Sequence, residues 1–174
     1  LGRAMRDEIF AASGCQFMSL NTLYQLAASH AADPAVLAQA KTLLLIADYF
    51  HFLLTGVRAA EFTNASTTQF LHPITREWSV DLLQRLGLPT HLLPRLVPPG
   101  TRLGSLLPEV QAITGLGPVD VIAPATHDTG SAVVAVPTEH TGRANWAFIS
   151  SGTWSLVGVE IPEASLTPRT LELN

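Results

Sequence analysis

Positive charge is scarce in this sequence: Lys41 is the single lysine, and nine arginines are scattered over the 174 residues. The formal net charge is −4, and no segment of the chain collects basic residues. A surface that binds nucleic acid needs such a cluster, because it must neutralise several phosphates. The sequence therefore argues against a nucleic-acid partner.

Cysteine and long hydrophobic runs are scarce as well. Cys15 is the single cysteine, so the sequence offers no internal disulfide and is compatible with a reducing cytoplasm. The most apolar segment, 43–54, contains Asp48 and His51 and is too short to cross a bilayer. We therefore expect a cytoplasmic protein that has no membrane partner.

The composition that remains is that of an ordered protein, with 47% hydrophobic and 14% charged residues. Such a ratio favours a packed core over a disordered chain. The sequence opens on Leu1 rather than on Met and stops at Asn174, just after an extended segment. We therefore expect an internal piece of a longer protein.

The first half of the sequence predicts four helices. Asn21, Asp33 and Ser79 precede apolar residues at helical spacing and are expected to be N-caps. The helix after Asp33 is expected to continue through Leu44, and the next helix is expected to end at Gly56. These signals make the first half mainly helical.

Strand signals replace helix signals in the second half. Residues 97–101 contain consecutive prolines and are expected to link two subdomains. Residues 119–125 are apolar and β-branched, which predicts a buried strand. Residues 145–150 and 154–160 flank a Ser-Gly-Thr turn, which predicts a β-hairpin. The sequence as a whole predicts an α/β fold.

The predicted strand 119–125 delivers His127 and Asp128 to its carboxyl end, where open α/β sheets bind ligands. A carboxylate in that position can accept a proton from an attacking hydroxyl, as phosphoryl transfer requires. The small residues that follow favour the start of a helix close to a bound ligand. Asp128 could instead be the N-cap of that helix, and the spacing alone favours this reading because such caps are common, although it leaves both open.

The predicted hairpin turn at Gly152 and Thr153 is a second candidate. Its backbone N–H groups and hydroxyl could bind an anion such as phosphate, although an ordinary turn explains the same residues. A serine hydrolase is disfavoured, because no Gly-x-Ser-x-Gly elbow surrounds Ser151. A metal site is also disfavoured, because the histidines other than His127 are scattered.

Taken together, the segments resemble the FGGY family of carbohydrate kinases, and among them the members that act on L-rhamnulose. The segments that carry this resemblance occur in the family's order and span almost the whole chain: 16–26, 48–56, 61–69, 98–104, and 127–129 together with 150–155.

This resemblance implies an actin-like ATPase (ribonuclease H-like) fold. Residues 1–136 would be the C-terminal part of the family's N-terminal, sugar-binding domain. Residues 137–174 would be the beginning of the C-terminal, ATP-binding domain. The implied reaction transfers the γ-phosphate of ATP, with Mg²⁺, to L-rhamnulose and gives L-rhamnulose 1-phosphate.

The resemblance also assigns roles to particular residues. Asp128 matches the family's proton acceptor. Asp128 and its neighbours His127 and Thr129 match the residues that contact the sugar. Gly152 and Thr153 match the turn that contacts ATP. No residue of the chain is matched to a metal ligand, and the oligomeric state is left open.

Two parts of the family pattern are missing from this sequence: the Asp-x-Gly phosphate loop of the first strand and the later glycine-rich adenine-binding segments. The chain is therefore expected to be inactive alone, since phosphoryl transfer depends on a complete site. The alternatives are another FGGY kinase, for L-fuculose or xylulose, and a non-catalytic actin-like binding module. A binding module would have no need of a proton acceptor at Asp128.

Overall fold

The computed structural model describes residues 3–173. The predicted domain segments, 1–136 and 137–174, also include Leu1, Gly2 and Asn174, which lie outside the described residues. The helices are α1 (Arg3–Ser13), α2 (Thr22–Ala32), α3 (Pro34–Gln39), α4 (Ile46–Thr55), α5 (Phe62–Ala65), α6 (Val80–Arg85), α7 (Pro108–Thr114), α8 (Asp128–Val134) and α9 (Pro168–Glu172). The strands are β1 (Ala59–Glu61), β2 (Arg95–Val97), β3 (Thr101–Ser105), β4 (Asp120–Ala123), β5 (Ala147–Ser151) and β6 (Ser155–Val159). This mixture of helices and small sheets agrees with the predicted α/β class.

The described strands form three sheets of two strands each. β1 and β2 pair in parallel, whereas β3 pairs with β4 and β5 pairs with β6 in the antiparallel direction. The register of β3 against β4 shifts between Arg102 and Gly104. The β5–β6 pair confirms the predicted hairpin.

The largest hydrophobic cluster lies among α1, α2 and α6 in the helical first half, and it consists of Ile9, Leu23, Leu26, Phe70, Leu82, Leu83, Leu88 and Leu92. A smaller cluster joins the first two sheets and contains Ala59, Val97, Leu103 and Ala123. Ala59 lies in β1 and Ala123 ends β4, so this second cluster holds the end of β4 against β1. Both strands lead into the candidate site.

Several predicted helix boundaries are confirmed. The Asp33 carboxylate accepts hydrogen bonds from the backbone N–H groups of Ala35 and Val36 and caps α3. Gly56 ends α4 with φ of 72°, a left-handed conformation that favours glycine. Asn21 precedes α2 as predicted, but its side chain does not cap the helix and donates to the Gln16 carbonyl instead.

Ser79 behaves in the same way as Asn21. It immediately precedes α6, yet its hydroxyl makes no capping bond and donates to the carbonyl of Ala12 at 2.8 Å. The residue type therefore marks the start of the helix correctly, while the hydroxyl ties α6 to α1.

The prediction of a helix through Leu44 is wrong, because α3 ends at Gln39 and Ala40 is extended. Beyond that point the chain packs against a distant segment: the Leu43 N–H donates to the Leu92 carbonyl at 2.8 Å. A tertiary hydrogen bond has replaced the helical one, which apolar spacing cannot reveal.

The prediction of a buried strand over 119–125 is also wrong. The strand is limited to β4, and Ala123 is its single buried residue, while Ile122 is exposed. β4 pairs with β3 alone among the described residues, so its other edge has no strand partner there. The predicted link at 97–101 connects β2 to β3 through Pro98, Pro99 and Gly100.

Candidate active site

The loop between β4 and α8 places His127 and Asp128 at the start of a short helix. His127 is the N-cap, because its Nδ1 accepts a hydrogen bond from the backbone N–H of Gly130 at 3.3 Å. The hydroxyl of Ser131 donates back to the carbonyl of Ala125 and closes the loop. Asp128 is the first residue inside α8, so the alternative in which it is the N-cap is wrong.

The carboxylate of Asp128 is open to solvent, with 98% of its side chain exposed. Its Oδ1 accepts hydrogen bonds from the backbone N–H of Thr129 at 2.6 Å and from the Thr129 hydroxyl at 3.3 Å. The same oxygen lies 3.9 Å from Nε2 of His127. Oδ2 makes no hydrogen bond to any described residue, so a ligand can reach it.

The tip of the β5–β6 hairpin carries Gly152 and Thr153. The backbone N–H of Gly152 donates to the carbonyl of Trp154 at 2.8 Å, so this donor is used within the turn. Thr153 is exposed, and no hydrogen bond within residues 3–173 uses its hydroxyl. Of the anion-binding groups predicted at this turn, the Thr153 hydroxyl is therefore available and the Gly152 N–H is not.

A cleft of about 440 Å³ brings the two candidate segments together. The five site residues predicted from the sequence all line it, and they are His127, Asp128, Thr129, Gly152 and Thr153. Gln16, Met18 and Leu20, from the segment between α1 and α2, form another side of the cleft. Trp154 and Leu156 add apolar surface beside the hairpin tip.

A buried carboxylate lies behind the loop that carries Asp128. Glu61, at the end of β1, accepts hydrogen bonds at 2.9 Å from both the backbone N–H and the hydroxyl of Thr126. It also accepts from the backbone N–H of Thr63 at 2.9 Å, from the Thr63 hydroxyl at 2.5 Å and from the N–H of Asn64 at 3.3 Å. The Thr63 hydroxyl in turn accepts from the N–H of His127 at 3.2 Å.

Sequence reasoning missed this cluster, although Glu61 lies in one of the segments that carry the family resemblance. The available signal was a single acidic residue, which follows Arg58 and two alanines and is the only charged residue of segment 61–69. Such a residue is as compatible with solvent as with burial. Only the fold shows that Thr126, 65 positions away, is its partner.

Glu61 and the neighbouring Asp48 are both buried, but their pKa values shift in opposite directions. Burial, helped by the nearby charge of Glu61, raises the pKa of Asp48 to about 6. The hydrogen bond from the Glu61 N–H to Asp48 Oδ1 lowers the pKa but does not offset this rise. Burial alone would also raise the pKa of Glu61, but the bonds from Thr63 and Thr126 outweigh it and the pKa is lowered. Glu61 is therefore charged at neutral pH and well below it, whereas Asp48 loses its proton only as the pH rises through about 6.

Within residues 3–173, no three His, Cys, Asp or Glu side chains lie close enough together to hold a metal ion. The described helices also include none that is long and apolar enough to span a membrane.

Comparison with known proteins agrees with the resemblance. The family model for the N-terminal domain of the FGGY family of carbohydrate kinases matches residues 3–135. Rhamnulokinase of Oceanobacillus iheyensis is 43% identical over 97% of this chain and 35% of its own length. Rhamnulokinase of Bacteroides thetaiotaomicron is 42% identical over 99% of the chain and again 35% of its own length. The chain therefore spans about a third of the length of these curated relatives.

Solved structures give the same fold. A carbohydrate kinase from Novosphingobium aromaticivorans aligns with 98% of this chain and 38% of its own, at a TM-score of 0.75 and 28% identity. A xylulose kinase from Lactobacillus acidophilus aligns with 70% of this chain and 25% of its own, at a TM-score of 0.65 and 24% identity, which bears on the fold alone. The predicted actin-like class is thus confirmed. The model of the family's N-terminal domain matches most of this chain, residues 3–135, so the chain belongs to the FGGY family of carbohydrate kinases.

Proposed function

We propose that the protein containing this chain is an ATP-dependent kinase that converts L-rhamnulose to L-rhamnulose 1-phosphate. The observation that carries the proposal is the shared cleft, in which the exposed carboxylate of Asp128 and the free hydroxyl of Thr153 face the same space. The choice of sugar is supported by the relatives named rhamnulokinase, which are 42–43% identical over nearly the whole chain. Residues 1–136 and 137–174 are assigned to the sugar-binding and ATP-binding domains, respectively.

In the proposed reaction, the C1 hydroxyl oxygen of L-rhamnulose forms a bond to the γ-phosphorus of ATP. The bond from this phosphorus to the β,γ-bridging oxygen breaks, and ADP leaves. The hydroxyl proton passes to Asp128, whose Oδ2 is unoccupied by protein donors among the described residues. His127 and Thr129 flank this carboxylate and contact the sugar.

The hairpin tip is assigned to ATP, with the Thr153 hydroxyl donating to a phosphate oxygen and Gly152 leaving room for its approach. Mg²⁺ in kinases is bound largely by substrate phosphates and one or two carboxylates. Residues 3–173 contain no cluster of three or more His, Cys, Asp or Glu side chains that could hold a metal ion, and no residue of this chain is assigned to Mg²⁺. Because the chain holds the base without a complete phosphate site, we propose that it is inactive alone. A cytoplasmic location remains a prediction.

An ADP-release assay on the full-length protein tests the substrate assignment. L-Rhamnulose, L-fuculose and D-xylulose are compared at equal concentrations with ATP and Mg²⁺. The highest kcat/KM is expected for L-rhamnulose. A higher value for L-fuculose or D-xylulose would move the assignment to another sugar kinase of the family, and the absence of turnover with all three would favour a binding module.

A further inference from the structure

We propose that Glu61 is a positioning residue that holds the loop carrying Asp128 in its reactive place. The inference rests on the proposed role of Asp128 as proton acceptor, and it adds a buried residue from β1 that does not line the cleft. Glu61 would act through Thr126 and Thr63, which connect it to the backbone immediately before Asp128.

The hydrogen bonds converge on one oxygen of this side chain. Oε2 accepts from the N–H and hydroxyl of Thr126, the hydroxyl of Thr63 and the N–H of Asn64, while Oε1 accepts from the N–H of Thr63. Thr126 lies two residues before Asp128. The intervening N–H, that of His127, is held by the Thr63 hydroxyl. Both backbone N–H groups that precede the base are therefore fixed by the Glu61 cluster.

The burial of this charge indicates that the cluster has a specific purpose. Glu61 is 1% exposed, and no ion pair among residues 3–173 includes it. A buried charge without a cation contributes little to stability compared with apolar packing of the same volume. Five donors around one carboxylate do define a single geometry for the strand ends of β1 and β4. Fixing the loop is thus a better account of Glu61 than stabilising the core.

Glutamine cannot reproduce this arrangement. An amide has one acceptor oxygen, and its NH₂ group donates. With the amide oxygen in place of Oε2, the NH₂ group meets the N–H of Thr63; with the amide reversed, it meets four donors. In either orientation the loop must shift, and a displacement of about 1 Å at a reacting group lowers the rate on the order of 10²-fold.

The test uses Glu61→Gln and Thr126→Val in the full-length protein, with kcat and KM measured for both sugar and ATP. We expect each variant to lower kcat by roughly 10–100-fold, where the upper limit is the effect of a displacement of about 1 Å at the reacting group. The KM for ATP is expected to stay unchanged. Thr126→Ser keeps the hydroxyl donor and is expected to recover most of the rate lost in Thr126→Val. Glu77→Gln, at an exposed turn outside the site, is the matched control.

The double variant separates positioning from general structural damage. Because both residues act through one loop, Glu61→Gln combined with Thr126→Val is expected to be little slower than the slower single variant. Thermal unfolding shows whether a lower rate comes from a smaller amount of folded protein. If the Glu61 variant does not fold, Thr126→Val still tests the proposal, because it removes a single hydroxyl.

Asp128→Asn, measured in parallel, distinguishes failure of the positioning role of Glu61 from failure of the proposed function. If Asp128→Asn abolishes turnover while folded Glu61→Gln and Thr126→Val retain normal kcat, the positioning role is overturned and the proposed function stands. Rate losses that multiply in the double variant would also overturn it, since they show independent actions. If Asp128→Asn itself turns over normally, the proposed base is wrong and the role of Glu61 falls with it.

Discussion

Asp128 combines an exposed carboxylate with a place on the wall of the cleft, and replacing it with asparagine tests its role most directly. Asn keeps the shape and can still hydrogen-bond a sugar, but it cannot accept the hydroxyl proton at neutral pH. General-base assistance is worth about 10²–10⁴ in rate. We expect Asp128→Asn to lower kcat by that order in the full-length protein, with sugar affinity and melting temperature almost unchanged.

Asp81→Asn is the control for this change, because Asp81 also lies exposed in the first turn of a helix, far from the cleft in sequence. Both substitutions remove one negative charge near a helix N-terminus, which is worth about 0.3–1 kcal/mol at the surface. A kcat of Asp128→Asn close to that of Asp81→Asn would remove Asp128 from the mechanism.

Thr153 tests the other side of the cleft. Valine preserves the shape of the side chain and removes the hydroxyl, which makes no bond within the described residues and therefore has no structural partner to lose. A lost hydrogen bond to a charged phosphate corresponds to about 1.5–3 kcal/mol, so we expect kcat/KM for ATP to fall roughly 10–150-fold while sugar binding is retained. Thr153→Ser should behave like the parent. Unchanged ATP kinetics in Thr153→Val would make Thr153 a simple turn residue.

Asp48 predicts a pH dependence of stability. Its pKa is about 6 in the folded protein and 3.8 in the unfolded chain, so the folded state holds the proton more tightly. Its contribution is fully present below pH 3.8 and is lost as the pH rises through 6, to a total of about 3 kcal/mol. Asp48→Asn stays neutral and can still accept the Glu61 N–H bond, so the variant should gain stability over the parent as the pH rises from 4 to 8.

Urea unfolding at a series of pH values measures this difference directly. The free energy of unfolding of Asp48→Asn minus that of the parent should be close to zero at pH 4 and should increase up to pH 8. Asp81→Asn, which removes an exposed carboxylate, is the control. A difference for Asp48→Asn that is independent of pH would mean that the buried carboxyl is not protonated in the folded protein.

Single residues differ in how far the sequence reveals their role. His127, Asp128, Thr129 and Thr153 were found because chemistry-bearing residues follow a strand and a turn signal, and all of them line the cleft. Glu61 could not be found in this way, since its function depends on a hydrogen bond to Thr126 that spans 65 positions. Local sequence pattern therefore identifies residues that face a ligand more readily than buried residues, such as Glu61, that hold a loop of the site in place.

The helices show which local signals fix an element. The cap at Asp33 and the stop at Gly56 were predicted correctly, because each depends on the conformation of one residue and its nearest neighbours. The end of α3 and the exposure of β4 were predicted wrongly, because both depend on what packs alongside. Leu43 bonds to Leu92, and β4 has one strand neighbour among the described residues.

Gly56 allows a test of how far the conformation of one residue stabilises the end of a helix. It ends α4 at φ of 72°, where a side chain is strained, and a Cβ there would lie 3.7 Å from Leu107 without a clash. Gly56→Ala is therefore expected to lower the free energy of unfolding by about 1 kcal/mol through backbone strain alone. Gly117→Ala is the matched control, because Gly117 lacks a positive φ and has open space around it. Equal unfolding free energies for the two variants would contradict the conformational argument.

For the molecule as a whole, the β5–β6 hairpin leaves much apolar surface exposed. Phe148 and Gly158 face each other across the hairpin on the partly covered side, and a Cβ on Gly158 would meet the Phe148 ring. The opposite face carries the directly paired Ile149 and Val157, which are 72% and 75% exposed. An apolar, two-stranded hairpin with unpaired outer edges is a ready surface for association with another chain.

We therefore expect the 174-residue chain alone to self-associate through this hairpin. Replacing Ile149 and Val157 together with threonine keeps the β-propensity of both positions and removes their apolar surface. Light scattering during size-exclusion chromatography should show aggregates for the parent chain and a marked shift towards monomer for the double variant. Ile113→Thr removes an isolated side chain on α7 that is 86% exposed, and it should leave the aggregation unchanged. A parent chain that is monomeric at micromolar concentration, or equal rescue by Ile113→Thr, would show that the open face of the hairpin does not drive association.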